Sequence, residues 1–194
     1  MTTSNHSYIQ TFTGKRMYFD NPTESMFDIE SIARGLSREG RFANQLKVFY
    51  SVAQHSCAIA KVIPLALHRM PEVLLHDGTE AYLRDIASPI KSVLPDYHAI
   101  EKRMESVLFS AFKLQYPLDP LIKHYDLRML VTEAEQLFVH TPDWLEEFYD
   151  NGIRPLPITL KPLSADAAYT VFMHMWNEAM FSRHGFDATY EADK

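Results

Sequence analysis

The sequence predicts an all-α fold, organised as a single globular domain over residues 1–194 with an extended N-terminal arm. Glycine is scarce, with 6 residues in 194, which is about 3% against an average usage of about 7%. All-β folds need glycine in their many turns, so its scarcity favours helices. Apolar side chains also recur at helical spacing, and several such stretches begin with a Ser or Asp that can cap a helix.

The composition indicates a globular protein with a packed core. The hydrophobic share of 46% and the charged share of 23% are typical of a chain that packs a core. No run approaches the roughly 18 apolar residues of a membrane span, and the first residues lack the basic-then-apolar pattern of a secretory leader. The single cysteine, Cys57, excludes an intramolecular disulfide and a Cys-rich zinc site. We therefore expect a cytoplasmic protein with no membrane partner.

The charge balance is acidic, with 25 Asp and Glu against 19 Lys and Arg and a net charge of −6. Nucleic-acid binding usually needs a basic face, so we expect no stable nucleic-acid partner. A small anionic substrate stays compatible with this balance, because a few local cations and a metal ion could hold it.

The first half of the chain predicts an arm and two helices. Aromatic, β-branched and hydroxyl side chains with a turn signal at Gly14 make residues 1–27 an extended arm or a short hairpin. Asp28 is predicted to cap a short amphipathic helix. Ser51 and Gln54 match a capping box, which places His55 in the first turns of the next helix.

The other helices are predicted from Pro and Asx start signals and from Gly stop signals. They are a helix from Pro71 to about Tyr82, one capped by Asp96 and ending near Leu114, a long one from Asp119-Pro120 through Leu137, a short one from Thr141-Pro142 to Asn151-Gly152, and a last one from Ser164 to Gly185.

Four candidate metal ligands fall on predicted helices: His55, His76, Asp77 and Asp126. Imidazole nitrogen with carboxylate oxygen suits Mn²⁺, Fe²⁺, Co²⁺ or Zn²⁺. Their separation along the chain means that only the packing of three helices would bring them together. Glu80 follows His76 by four residues and would share its helical face. Taken singly, each histidine is also compatible with an ordinary packed side chain.

Around these residues the sequence resembles the HD-domain phosphohydrolases, in particular bacterial 5′-deoxynucleotidases and phage deoxynucleoside triphosphate hydrolases. The resemblance covers roughly residues 30–140. It is carried by a series of short segments in the family's order and spacing, namely Arg41-Phe42, Tyr50-Ser51-Val52-Ala53-Gln54-His55-Ser56, Leu75-His76-Asp77-Gly78-Thr79-Glu80, Asp85-Ile86-Ala87-Ser88-Pro89-Ile90-Lys91, Ala99-Ile100-Glu101-Lys102 and Asp126.

The resemblance implies a role for each matching position. His55, His76, Asp77 and Asp126 would bind one divalent cation (Mn, Co, Zn, Fe or Mg), and Glu80 or Asp77 would handle the attacking water or the leaving oxygen. The other matches imply substrate contacts: Arg41 and Lys91 with phosphates, and Asp85 with the sugar. Lys123 precedes Asp126 by one helical turn, so it would also point towards a phosphate tail, and a base could stack on Phe42. Family members carry Trp beside the Arg where this chain has Phe42, so their base preference does not transfer.

The implied function is a divalent-metal-dependent phosphohydrolase of (deoxy)nucleotides. Two reactions fit the same residues: a monophosphate would release phosphate, and a triphosphate such as dATP would release triphosphate. The alternative is a catalytically silent HD domain that binds nucleotide or metal as a sensor or assembly module. Family relatives are oligomers, so the resemblance also implies a homo-oligomer.

Overall fold

The computed structural model describes the backbone of residues 7–192 and the side chains of residues 7–185. One antiparallel hairpin, β1 (Tyr8–Gln10) and β2 (Arg16–Tyr18), precedes the helices. These are α1 (Ile29–Arg38), α2 (Val52–Ala60), α3 (Met70–Leu74), α4 (Glu80–Leu83), α5 (Ser88–Lys91), α6 (Pro95–Ala111), α7 (Pro120–Leu137), α8 (Leu145–Asp150) and α9 (Ala165–Ala192). The predicted all-α fold is confirmed. Within these residues no helix combines the length and the apolar character that a membrane crossing needs.

The N-terminal arm is a hairpin fastened to the start of α1. Gly14, at a φ of +85°, makes the turn between the strands, in a left-handed conformation that favours glycine. Met17 on β2 is fully buried. Thr13 Oγ1 donates to Asp28 Oδ2 at 2.7 Å. Residues 1–6 of the predicted arm lie outside the described residues.

Three predicted helix caps are confirmed. Each accepts a hydrogen bond from a backbone N–H in the first turn: Asp28 from Ser31, Ser51 from Gln54 and Asp119 from Leu121. The second hydrogen bond of the predicted capping box at α2, from the backbone N–H of the cap residue to the Gln54 side chain, is not made, so this part of the prediction is wrong. The Gln54 side chain instead bonds a distant segment, donating to Lys161 O at 2.6 Å and accepting from Leu163 N at 2.9 Å. This pair of bonds ties α2 to the proline-rich connector before α9.

Four predicted helix ends differ from the structure. Helix α6 starts at Pro95 rather than after an Asp96 cap, because proline fits the first helical position. It ends at Ala111, where Lys113 turns left-handed at a φ of +54°. Helix α8 begins at Leu145, later than its Thr-Pro signal. Helix α9 runs through Gly185, because a helix interior tolerates glycine at a cost of about 1 kcal/mol.

The single helix predicted over residues 71–82 is wrong, because a turn breaks it into α3 and α4. The turn contains Gly78, whose N–H donates to Leu75 O at 2.8 Å. A Cβ at Gly78 would lie 3.1 Å from Leu108 Cδ1, so the turn packs closely on α6. His76 and Asp77 therefore sit on the turn rather than on a helical face shared with Glu80.

The core lies where α9 crosses the earlier helices. Helix α9 packs against α1, α2 and α3, and buries Phe172 and Trp176 among side chains that include Leu36 and Leu74. A second cluster joins α2 and α3 to α7 through residues such as Ile122. These contacts hold α2, α3 and α7 side by side, so that polar residues on their facing sides meet.

Helix α1 approaches α4 closely at Gly35. A Cβ at this position would lie 2.7 Å from both Cβ and O of Ala81, and the backbone atom cannot move aside cheaply. We expect Gly35→Ala to lower the free energy of unfolding by about 1–3 kcal/mol, measured by urea denaturation.

Gly185→Ala is the matched control. Gly185 is also helical, but a Cβ there meets nothing within 4 Å. Since alanine is the better helix former, this variant should gain about 0.5–1 kcal/mol. Equal stabilities for the two variants would contradict the close α1–α4 contact.

Candidate metal centre

Four polar side chains converge from α2, the turn after α3, and α7. His55 lies one turn after the Ser51 cap. His76 and Asp77 project from the turn, and Asp126 lies in the second turn of α7. One ligand atom from each residue lies within 4.8 Å of all the others. The convergence predicted from the sequence is therefore present, and the group could hold a metal ion.

The carboxylates lie between the two imidazoles. His55 Nε2 is 3.1 Å from Asp126 Oδ1 and 3.7 Å from Asp77 Oδ2. His76 Nε2 is 3.3 Å from Asp77 Oδ2 and 3.9 Å from Asp126 Oδ1. The His55 side chain is fully buried, that of His76 is 6% exposed, and the two aspartates are partly exposed, Asp126 by 13% and Asp77 by 19%.

The histidines and aspartates of the cluster shift one another's pKa values. Burial disfavours the charged form of every member. Even so, Asp77 and Asp126 raise the pKa of His76 well above its usual value, and Glu133 and Asp126 raise the pKa of His55. The histidines in turn hold the pKa values of both aspartates below their usual range. A divalent cation bound here would replace the protons on the two Nε2 atoms, which face the aspartates.

Each imidazole is oriented by the nitrogen that faces away from the cluster. His76 Nδ1 is 2.8 Å from Val73 O and donates to it, since a carbonyl only accepts. His76 Nε2 is buried and makes no hydrogen bond. On His55, Nδ1 lies 2.6 Å from Glu133 Oε1. Both rings thus turn Nε2 towards the aspartates.

A cavity of about 300 Å³ opens beside the cluster. Three of the ligands line it, together with three side chains that the sequence singled out: Glu80, Lys91 and Lys123. The rest of its polar wall is formed by residues that include Glu101 and Glu105. Its volume lies at the lower end of the range for small-molecule sites.

Glu80 is a buried carboxyl group that lines this cavity. It is 6% exposed, and its Oε2 is buried without a hydrogen-bond partner. Burial, followed by repulsion from Asp77 and Asp85, raises the pKa of Glu80 well above its usual value, against the opposing effect of Arg41 and Lys91. Glu80 can therefore keep a proton at a pH where ordinary carboxyl groups have lost theirs.

The two lysines are each held by a carboxylate. Lys91 Nζ donates to Glu101 Oε1 at 2.8 Å and lies 3.6 Å from Glu80 Oε1. Lys123 Nζ donates to Asp126 Oδ2 at 2.7 Å. An ammonium group has three N–H donors, so each lysine keeps donors for a ligand in the cavity.

Arg41, Asp85 and Phe42 do not line the cavity. Arg41 lies behind the cluster, with its Nη1 3.8 Å from Asp77 Oδ2 and 3.7 Å from Asp85 Oδ2. Phe42 packs edge-on against Phe138 at 5.1 Å, in a stretch of three left-handed non-glycine residues that runs to Asn44. The structure thus separates these three from the cavity that Lys91 and Lys123 share.

Sequence reasoning missed Glu133, which is fully buried and contacts both His55 and Arg41. A signal for it was present. Glu133 follows Asp126 by seven residues, which is two helical turns, so both lie on one face of α7. A carboxylate that lies two turns beyond a candidate ligand, close to the apolar Val131 and Ala134, is expected to be buried. A buried carboxylate requires hydrogen-bond or ion-pair partners.

Comparison with known proteins adds relatives that have not been characterised. The chain is 35% identical to uncharacterized protein YfdR of Escherichia coli over 181 residues, which cover 89% of this chain and 95% of that protein. It is 28% identical over 180 residues to an uncharacterized protein of Rhodobacter capsulatus, covering 84% and 92% of the two chains. No family model matches the chain. At this identity and coverage, the chain belongs to the family of Escherichia coli YfdR.

Proposed function

We propose that the protein is a divalent-metal-dependent phosphohydrolase that acts on nucleotides, preferentially deoxynucleotides. One observation carries the proposal: two imidazoles and two carboxylates meet within 4.8 Å of one another, and three of these four residues line a cavity that Lys91 and Lys123 also line. The resemblance of residues 30–140 to the HD-domain phosphohydrolases supports the substrate class.

The donor set fits a divalent cation. Mixed nitrogen and oxygen ligation suits Mn²⁺, Fe²⁺, Co²⁺ or Zn²⁺. His76 Nε2 is buried and makes no hydrogen bond, although Asp77 Oδ2 lies 3.3 Å away. A cation could satisfy this atom, since buried polar groups are normally paired. His55, His76, Asp77 and Asp126 would hold the ion, which supplies Lewis-acid activation of water and of the phosphorus centre.

The protein's own contribution begins with charge neutralisation. Phosphoryl transfer depends on positioning and on stabilising the charge of the phosphate oxygens. Lys91 and Lys123 line the cavity on separate elements, α5 and α7. Their ammonium groups, each held by a carboxylate, would bind these oxygens.

Glu80 supplies the proton chemistry. Its Oε2 is buried beside the cavity, where a raised pKa favours the protonated form. We assign Glu80 as the acid that protonates the leaving oxygen. A carboxyl group whose pKa is raised keeps the proton that this step requires.

The test is product analysis with dAMP and dATP in the presence of Mn²⁺, Co²⁺ or Mg²⁺. We expect hydrolysis that EDTA abolishes. Phosphate released from dAMP identifies a 5′-nucleotidase, and triphosphate released from dATP identifies a triphosphohydrolase. Turnover of no nucleotide by protein that still binds metal would contradict the proposal and favour a silent binding domain.

A further inference from the structure

The metal-binding cluster is backed by a buried ion pair. Glu133 is fully buried, and its Oε2 accepts from Arg41 Nε at 3.3 Å and from Arg41 Nη2 at 3.2 Å. Its other oxygen, Oε1, lies 2.6 Å from His55 Nδ1. A buried carboxylate is costly unless it is fully paired. Both oxygens of Glu133 are engaged, one by the arginine and one by the histidine.

We propose that Glu133 is a positioning residue of the metal centre, and that Arg41 acts through it rather than on the substrate. The proposal rests on the proposed function, in which the four-residue cluster binds a cation. Glu133 holds His55 with Nε2 directed at Asp77 and Asp126, while Arg41 holds Glu133.

The first step of the argument is the tautomer of His55. A neutral imidazole carries one N–H, and a carboxylate only accepts hydrogen bonds. With Glu133 Oε1 at 2.6 Å, a neutral His55 keeps its proton on Nδ1. A cation bound at the cluster would take the lone pair of Nε2 in place of the proton that faces Asp126 Oδ1 at 3.1 Å, while the Nδ1 proton would stay in the bond to Glu133. Carboxylates that accept from a ligating histidine also strengthen it as a ligand.

The second step concerns the direction of Arg41. Three of its nitrogens are occupied within the protein: Nε and Nη2 on Glu133, and Nη1 between Asp77 and Asp85. Its side chain is 8% exposed and does not line the cavity. The guanidinium therefore faces three carboxylates, those of Glu133, Asp77 and Asp85, and these contacts account for an arginine at this position.

Glu133→Gln is the variant that tests this assignment. Arg41 requires an acceptor, so the amide oxygen of the new side chain would face Arg41 and its NH₂ group would face His55. His55 Nδ1 would then accept, and the proton would move to Nε2, where it blocks metal binding. We expect the Kd for Mn²⁺ to rise about 10- to 100-fold, measured by isothermal titration calorimetry.

Glu135→Gln is the matched control. It makes the same change on the same helix, at an exposed carboxylate bonded to Tyr149. The Kd of this control should equal that of the wild type. Equal Kd values for wild type and Glu133→Gln would overturn the role of Glu133 alone, whereas a wild type that binds no cation would overturn the proposed function with it.

A second measurement uses wild-type protein and does not depend on the variant folding. In the Zn²⁺-loaded protein, ¹⁵N–¹H correlation spectra of the histidine side chains report which ring nitrogen of His55 carries the proton. We expect the proton on Nδ1, with a downfield shift from its bond to the carboxylate. A proton on Nε2 would overturn the proposal.

Discussion

Asp77→Asn is expected to abolish nucleotide hydrolysis. Asp77 Oδ2 lies within 3.7 Å of Nε2 of both histidines, so its loss removes one of the four ligands and one of the two negative charges that attract the cation. Lewis-acid stabilisation of the transition state by a metal contributes several kcal/mol. A loss of about 4 kcal/mol corresponds to about 10³-fold in kcat/KM. The assay is initial rates at saturating Mn²⁺, with circular dichroism to confirm the fold.

Asp96→Asn provides the control for this experiment. It makes the same chemical change at an exposed carboxylate on α6, and we expect wild-type rates. Hydrolysis by Asp77→Asn at more than a tenth of the wild-type rate would contradict the assignment of Asp77 as a ligand.

Glu80→Gln is expected to lower kcat by about 10²- to 10⁴-fold, the range typical of a lost general acid, with little change in metal affinity. The sign of the pH dependence follows from the raised pKa of Glu80. The protonated form is the active one, so the wild-type rate should fall as the pH rises through that pKa. The variant should lose this limb of the profile. Steady-state kinetics across pH and a metal titration check both expectations.

Glu105→Gln separates proton transfer from the general charge of the cavity. Glu105 also lines the cavity, and burial also raises its pKa, but Tyr116 Oη donates to its carboxylate at 3.2 Å. We expect a much smaller loss of kcat in this variant. Similar losses in the two variants would show that Glu80 acts only through its charge.

The fold could be predicted well where the signals were local. The caps at Asp28, Ser51 and Asp119 depend on a side chain and a backbone N–H two or three residues away, so the sequence holds all the information required. The hairpin turn at Gly14 is of the same kind. The helix over 71–82 failed because close packing of the Gly78 turn on α6 overrode local propensity.

In the candidate site, too, the features that depend on the packing of distant residues could not be predicted from local signals. The convergence of His55 with Asp126 depends on how α2 and α7 pack, so it entered only through the resemblance to a known family. The direction of Arg41 could not be predicted, because it depends on the buried carboxylate of Glu133, which is 92 residues distant along the chain. A charge in the sequence does not show whether its partner is a phosphate or another side chain.

The most direct test of the central claim is a crystal structure of the protein loaded with Co²⁺, with data collected at the cobalt absorption edge. We predict one anomalous peak per chain at the cluster, about 2.0–2.2 Å from its nitrogen and oxygen ligands. Those ligands are Nε2 of His55, Nε2 of His76 and one carboxylate oxygen each of Asp77 and Asp126. A saturated crystal with no peak there, or with cobalt bound by other residues, would contradict the account.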